Sequence, residues 1–376
     1  MKISIKKIEI PKGRRILATS DIHGEPALLQ KLLDQVHFSH NDILFIVGDL
    51  IEKGHGSLEA LRYVMNLAKK ENVTVLMGNV DLLRVQMLEN LSEESSEKFY
   101  GYLRMMRNRA RANLFDEIAS ELGIFLDSPK KALDSKELLL KGLKDEFDFI
   151  RSLPTVAETK NYIFVHGGLP NEDLEALKEE DIYKVLKFDN FMAAGLTFKK
   201  YLVVGHYPVN IYNDKILQNN PIINTGQHII SMDGGCGINK DGQLNMIIIP
   251  DIDCSIEDVT YASCDNLPIL EALTPQEASS SSVNLHFLNN KVEIMDEGEE
   301  FSYVKHEASG RRFKVLTKSL YNRREQRACV HYTDYRLPVR VGDRLSLVEK
   351  TSDGYYVKKD GVCGWYRGEV VTVHTM

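Results

Sequence analysis

"DILFIVGDLIEKG", Asp42 to Gly54, decides the fold. Five apolar residues, Ile43 to Val47, run without a polar break into Gly-Asp. A run that short, bounded by glycine and rich in branched side chains, reads as a buried strand. It ends by presenting a carboxylate. The same grammar recurs in "RRILATSDIHG" (Arg14–Gly24), "VTVLMGNVD" (Val73–Asp81), "YIFVHGG" (Tyr162–Gly168) and "YLVVGH" (Tyr201–His206). Helical stretches lie between them, at Pro26–Val36 and at Ser57–Lys70, the latter with Ser57 as its expected N-cap. Strands alternating with helices over the first 250 residues predict an α/β fold with its chemistry at the C-terminal ends of the strands.

Composition narrows the class. The chain has 376 residues, enough for two or three domains, and its 43% apolar and 27% charged content suits a globular protein. No apolar segment reaches the length of a membrane span. "MKISIKKIEI" alternates apolar with polar residues and reads as a strand, not a signal-peptide core. Five cysteines with no C-x-x-C pair argue against a disulfide framework or a cysteine zinc site, so the expected location is cytoplasmic. Residues 301–376 carry 15 Lys/Arg against 8 Asp/Glu, whereas residues 1–300 carry 32 against 46. An acidic main body argues against a nucleic-acid duplex as the principal partner.

Residues 92–151 form a charged insertion with helical character. Within it Arg104, Arg107 and Arg111 fall at i, i+3 and i+7, one stripe of a helix. The stripe reads either as a solvated face or as an anion-facing edge of a lid.

The strand ends supply the candidate site. Asp21 and His23 follow the first of these strands, Asp49 the second, Asn79 the third, His166 the fourth and His206 the fifth. A single Gly-Asp or His-Gly is an ordinary turn; an ordered set after successive apolar runs is not. Carboxylate can bridge two cations, and imidazole and amide oxygen complete coordination suited to Mn, Fe or Zn, with Mn favoured.

With those residues in view, "SDIHG…GDLIEKG…GNVD…HGG…GH" resembles the calcineurin-like metallophosphoesterases, especially their phosphoprotein-phosphatase branch. "GDLIEKGHGSLEALRYV" also looks like the second motif of bacterial diadenosine tetraphosphate hydrolases. The resemblance covers residues 14–250 and implies two packed mixed β-sheets flanked by helices, with a site for two metal ions at one edge. It implies that Asp21 and His23 hold one divalent ion, that Asp49 bridges, and that Asn79, His166 and His206 hold the other. It further implies phosphoester or phosphoanhydride hydrolysis by a metal-activated hydroxide. "SMDGGCG" (Ser231–Gly237) is similar to a later motif, in which Asp233 reads either as the group that orients His206 or as a simple turn residue of "MDGG".

The pattern also departs from that family. Phosphatase members read G-D-x-V-D-R-G and G-N-H-E; this chain reads "GDLIEKG" and "GNVD". Lys53 stands for the phosphate-gripping arginine and keeps its charge without the two-pronged fork. Glu52 stands for the aspartate that orients the catalytic histidine, and Val80 stands for that histidine itself. His55 is the candidate replacement acid, against a reading as a solvated loop histidine. General-acid catalysis is worth about 10²–10⁴-fold, most for poor leaving groups. Val80 therefore moves the expected activity from a protein phosphatase toward a broader phosphoester or anhydride hydrolase, with a phosphorylated small molecule, a nucleotide or a phosphoprotein as substrate. Dinucleoside polyphosphate or phosphodiester hydrolysis is the alternative activity. A metal-binding regulatory protein with weakened turnover is the alternative class.

The domain reading assigns 1–255 to the catalytic domain. Residues 256–322 are a linker or a divergent small barrel, and 323–376 a small all-β barrel. Residues 328–371 resemble bacterial Src-homology-three-like domains through "VGDRLSLVEK", Tyr355-Tyr356 and "GWY". Arg367 takes the place of the groove proline, so the barrel reads either as a binder of a protein, a wall fragment or an anionic surface in place of polyproline, or as a module that packs against the catalytic domain. "VEIMDEGEEFSYVKHEASGRRF" (Val292–Phe313) and "LSLVEKTSDGYYVKKDGVCGWY" (Leu345–Tyr366) resemble one another at a spacing of 53 residues.

Overall fold

The computed structural model describes residues 1–323 and 326–373. The chain divides into two units: Met1–Pro208 with Pro221–Ile238 and Gly242–Cys264, and Val209–Asn220 with Asn239–Asp241 and Asp265–Met376.

In the first unit the strand-forming runs become β1 (Ile5–Lys7), β2 (Ile16–Thr19), β3 (Ile43–Val47), β4 (Val73–Leu76), β5 (Val156–Glu158), β6 (Tyr162–Val165), β7 (Tyr201–Val204), β8 (Ile222–Asn224), β9 (Ile229–Ser231), β10 (Leu244–Ile249) and β11 (Thr260–Cys264). They form two mixed sheets, ordered β1-β5-β6-β7-β9-β8 and β11-β10-β2-β3-β4. Every residue of β2, β3, β4 and β6 is buried. That is why those runs lack polar alternation: both faces of each strand are covered. One set of side chains (Ile16, Ala18, Phe45, Val47, Phe164) fills the layer between the sheets, where Phe45 and Phe164 stack at 3.8 Å. The other set (Leu17, Leu44, Ile46) packs with the helices. The family's two packed sheets are thus present, flanked by helices.

α1 (Pro26–Gln35) and α2 (Ser57–Leu67) connect the parallel strands β2, β3 and β4. Ser57 is not the N-cap of α2; Gly56 is. The Ser57 hydroxyl accepts from the Glu52 N–H at 2.9 Å, and Glu117 accepts from the N–H groups of Ser57 and Leu58 in its place. α3 (Asn79–Glu89) follows β4, and the insertion is five helices: α4 (Glu93–Asn108), α5 (Leu114–Glu121), α6 (Pro129–Asp134), α7 (Lys136–Gly142) and α8 (Lys144–Ser152). Because α4 ends at Asn108 and Ala110 is left-handed, Arg111 leaves the stripe that its spacing suggested.

The second unit is all-β. Its strands are β12 (Ile269–Ala272), β13 (Asn284–Leu285), β14 (Val292–Asp296), β15 (Phe301–His306), β16 (Arg312–Leu316), β17 (Leu320–Arg323), β18 (Gln326–Cys329), β19 (Tyr332–Thr333), β20 (Arg344–Thr351), β21 (Gly354–Lys359), β22 (Val362–Tyr366) and β23 (Val370–Val373). Two sequence boundaries move. β11 pairs with β10, which carries the first unit past residue 255 to Cys264. β12 pairs with both β20 and β23, so the five-stranded sheet β22-β21-β20-β12-β23 draws on residues well before 323. The 53-residue repeat corresponds to two antiparallel meanders, β14-β15-β16 and β20-β21-β22. Tyr303 faces Asp296 and Tyr356 faces Glu349, with register shifts at Ile294/Asp296 and at Leu347/Glu349.

Buried charge also holds this second unit. Asp241 is pushed up by burial, yet His331 at 3.1 Å and the Lys358 charge bring its carboxyl down to about 2. A carboxyl held below its unfolded value stabilises the fold above that value and loses the effect as pH falls through the folded one. The stability advantage of wild type over Asp241→Asn should therefore shrink by about 2 kcal/mol between pH 5 and pH 2, read from urea unfolding.

Candidate metal centre

The six candidate ligands converge at the C-terminal ends of strands in both sheets. Asp21, His23 and Asp49 offer atoms that lie within 4.8 Å of one another, and so do Asp49, His166 and His206; all but His206 are buried. Asp49 belongs to both groups. Asn79, the first residue of α3, places its Oδ1 3.0 Å from His166 Nε2.

The backbone must bend sharply to bring them together. Asp21, His23, Asp49 and His206 all have positive φ, between 49° and 67°, a region that side-chain-bearing residues seldom adopt. Close approach fixes the adjacent glycines. A Cβ on Gly78 would lie 2.0 Å from the Asp49 nitrogen, and one on Gly205 would lie 2.2 Å from Asp21 Oδ2. Strain of this kind persists only where neighbours over-determine the conformation.

The main restraint is Asp81. Its carboxylate accepts from the N–H of Asp49 at 3.0 Å, of Leu50 at 2.9 Å and of Gly78 at 3.0 Å. One buried side chain therefore ties the Asp49 turn to the start of α3. Burial and the Asp49 charge push its carboxyl up to about 7, against the N–H groups of Leu50 and Gly78. The sequence displays this residue as the aspartate of "GNVD", but its reach across to the Asp49 turn is long-range.

Carboxylates crowd the site, with the Lys53 ammonium beside them. His166 Nδ1 lies 2.8 Å from the Val47 carbonyl and donates to it, which leaves Nε2 turned toward Asn79 Oδ1 and, at 3.3 Å, Asp49 Oδ1. Burial opposes charging of His166, yet Asp49 and Asp21 raise it to about 10. His23 Nδ1 likewise faces the Ile51 carbonyl at 3.2 Å, and Lys53 Nζ stands 2.8 Å from Nε2. Burial and then the Lys53 charge bring His23 down to about 3. Asp21 Oδ1 is buried with no hydrogen-bond partner among the described residues. Lone pairs aimed inward, with an orphaned carboxylate oxygen among them, fit two divalent ions of nitrogen- and oxygen-binding type.

The remaining candidates distribute differently. Asp233 does not meet His206: its Oδ1 accepts from Gly235 N at 2.8 Å within its own turn, and Oδ2 is buried without a hydrogen-bond partner. The carboxylate at His206 is Asp189, whose Oδ1 lies 2.7 Å from Nε2. Asp189 sits in an irregular loop where no strand or helix pattern points to it. Glu52 also turns away from the ligands, toward the helical insertion. Val80 is buried and its N–H donates to Asp49 Oδ1 at 2.8 Å. His55 is exposed, with Nδ1 2.5 Å from Glu25 Oε1. Arg104 is exposed on α4, Arg107 pairs with Asp116, and Arg111 donates to the Ile238 carbonyl at 2.8 Å. The three arginines do not share one face.

Among known families, calcineurin-like phosphoesterases match residues 14–231. A symmetrical bis(5'-nucleosyl)-tetraphosphatase from Salmonella arizonae is 30% identical over 177 residues, 46% of this chain and 50% of the relative. Its counterpart from Salmonella paratyphi C is 31% identical over the same length and shares. The chain thus spans about half the length of the curated relatives it matches. Among solved structures, a protein serine/threonine phosphatase from Saccharomyces cerevisiae aligns with 71% of this chain and 85% of its own, at 12% identity and a TM-score of 0.43. A cold-active protein-tyrosine phosphatase from Shewanella aligns with 66% and 80%, at 16% identity and a TM-score of 0.39.

Two outcomes follow for the supporting carboxylates. Asp81→Ala strands three buried N–H groups and should cost about 3 kcal/mol or more in urea unfolding. Asp189→Ala should weaken the binding of one of two Mn²⁺ ions by roughly 10–100-fold in calorimetry, while Asp189→Asn, which still offers an acceptor to Nε2, should restore most of it.

Proposed function

The chain belongs to the calcineurin-like phosphoesterase family, and on that premise we propose that it hydrolyses phosphoanhydrides and activated phosphoesters, with dinucleoside polyphosphates as its favoured class. Asp21, His23 and Asp49 would hold one divalent ion, and Asp49, Asn79, His166 and His206 the other, with Mn favoured. Two such ions supply Lewis acidity at the phosphoryl oxygens and make bound water more acidic.

The chain's own residues set which bond breaks. The observation that carries the proposal is at Val80: its side chain is buried and apolar, and its N–H is committed to Asp49. No proton can come from this position to a departing oxygen. A serine or threonine alkoxide leaves poorly without one, whereas a nucleotide phosphate or an aryl oxide leaves as a stabler anion. His55, held outward by Glu25, is not placed as a substitute by any contact with the ligands. Lys53 presents a single ammonium beside His23, suited to attract a phosphoryl group but not to grip two of its oxygens at once. Asp189 and the Val47 and Ile51 carbonyls fix the tautomers of His206, His166 and His23. The similarity to tetraphosphatases supports the nucleotide class.

Residues 323–376 join this proposal as a Src-homology-three-like element that positions a protein or an anionic surface. The five-stranded antiparallel sheet that β20 to β23 form with β12 supports that reading. Its one tryptophan is not available as a ligand donor, because Trp365 Nε1 donates to the Thr333 carbonyl at 2.9 Å. The cytoplasm is the proposed location; among the described residues no helix is long and apolar enough to cross a membrane.

With Mn²⁺, kcat/KM for diadenosine tetraphosphate and for p-nitrophenyl phosphate should exceed that for a phosphoserine peptide by about 100-fold or more. Asp49→Asn should abolish all three. Val80→His should improve the phosphopeptide alone. Equal wild-type rates on the phosphopeptide would overturn the proposal.

A further inference from the structure

Two consecutive residues beside the metal centre, Glu52 and Lys53, both have positive φ, at 73° and 68°. Neither is glycine, and a pair of adjacent left-handed side-chain-bearing residues is uncommon. Something must hold them there.

What holds them comes from the helical insertion and α3. The Glu52 side chain is 1% exposed. The Tyr102 hydroxyl, from α4, donates to Glu52 Oε2. Arg84, from α3, lies with Nε 3.2 Å from Glu52 Oε1 and its guanidinium 4.3 Å from the centre of the Tyr102 ring. The N–H of Leu114, the first residue of α5, donates to Oε1 at 3.2 Å. On the main chain, Glu52 N–H donates to Ser57 Oγ, and Ala112 N–H donates to the Gly54 carbonyl at 3.2 Å. Three helices therefore grip one side chain, and the residue after it is Lys53.

We propose that Glu52, Arg84 and Tyr102 form a latch through which the helical insertion positions Lys53 for substrate phosphate. Glu52 is then a positioning residue, in a chemically different use from the aspartate it replaces in the family pattern. The carboxylate faces away from the ligands, so its effect on the reaction passes through the backbone of residues 52–53. Burial and the Glu52 charge push the Tyr102 phenol up, which keeps it a donor across the working pH range. The arrangement also explains why Glu and not Asp suits this position: the longer side chain reaches α3, α4 and α5 together. The role of Lys53 in turnover rests on the phosphoanhydride reading above; its placement by the latch does not.

Tyr102→Phe removes one hydroxyl and keeps the ring, so it tests the latch with little risk to folding; a urea midpoint for each variant checks that. The first measurement needs no turnover. In the full-length, metal-free chain, acetylation of Lys53 by acetic anhydride, followed by mass spectrometry, should be roughly tenfold faster in Tyr102→Phe and in Arg84→Met than in wild type. The second is a double-mutant cycle on p-nitrophenyl phosphate hydrolysis with Mn²⁺. Tyr102→Phe should raise KM roughly tenfold with kcat little changed, and should add nothing on top of Lys53→Ala. An unchanged acetylation rate overturns the latch. A double variant whose loss is the product of the single losses, or a Lys53→Ala variant that turns over like wild type, overturns its action through Lys53. A wild-type chain inert to every phosphate substrate defeats the functional reading alone, and the acetylation result still decides the latch.

Discussion

The structure of the first unit depends on a buried carboxylate with more acceptors around it than donors. Asp49 is 1% exposed; one oxygen takes the Val80 N–H and lies near His166, and the other faces His23 at 3.7 Å. An ionised carboxylate in such a place is costly unless matched by opposite charge. Lys53 supplies part of that charge, and a pair of divalent cations would supply the rest. The left-handed turns, the close-approach glycines and the Asp81 clamp all hold acceptors against one another where they would otherwise repel. The sheets are rigid enough to impose this because both of their faces are buried.

Much of this was legible in the sequence because the strand ends announce themselves. An apolar run buried on both faces has a distinctive texture, and the residue after its glycine is forced toward the edge of the sheet. Asp21, His23, Asp49, Asn79, His166 and His206 could be gathered that way, and the structure places them together. The supporting carboxylates were not legible in the same manner. Asp81 lies in plain view but acts on a turn contributed by a different strand. Asp189 belongs to a loop with no period, and Asp233, which does follow a strand, accepts the Gly235 N–H within its own turn.

Helical periodicity misled where it was read past a helix end. The arginine stripe assumes that residues 104–111 continue one helix, yet the chain turns after Asn108 and takes Arg111 away from Arg104 and Arg107, which stay on α4. Local patterns also could not place β12. Four residues of modest β character say nothing about whether they pair with neighbours or with strands encoded much later. The meanders were more visible, since their aromatic and acidic positions repeat with the same register shift.

The position of β12 bears on how the chain assembles. It lies in the sheet between β20 and β23, both of which follow it by the length of a small domain. During synthesis β12 emerges with both of its hydrogen-bonding edges open and keeps them open until β20 and β23 have been made. The second unit therefore folds by a late, long-range closure, which is the slow kind of contact. Whatever shields those edges in the interval governs how much of the newly made chain reaches its native form and how much is lost to association with its neighbours.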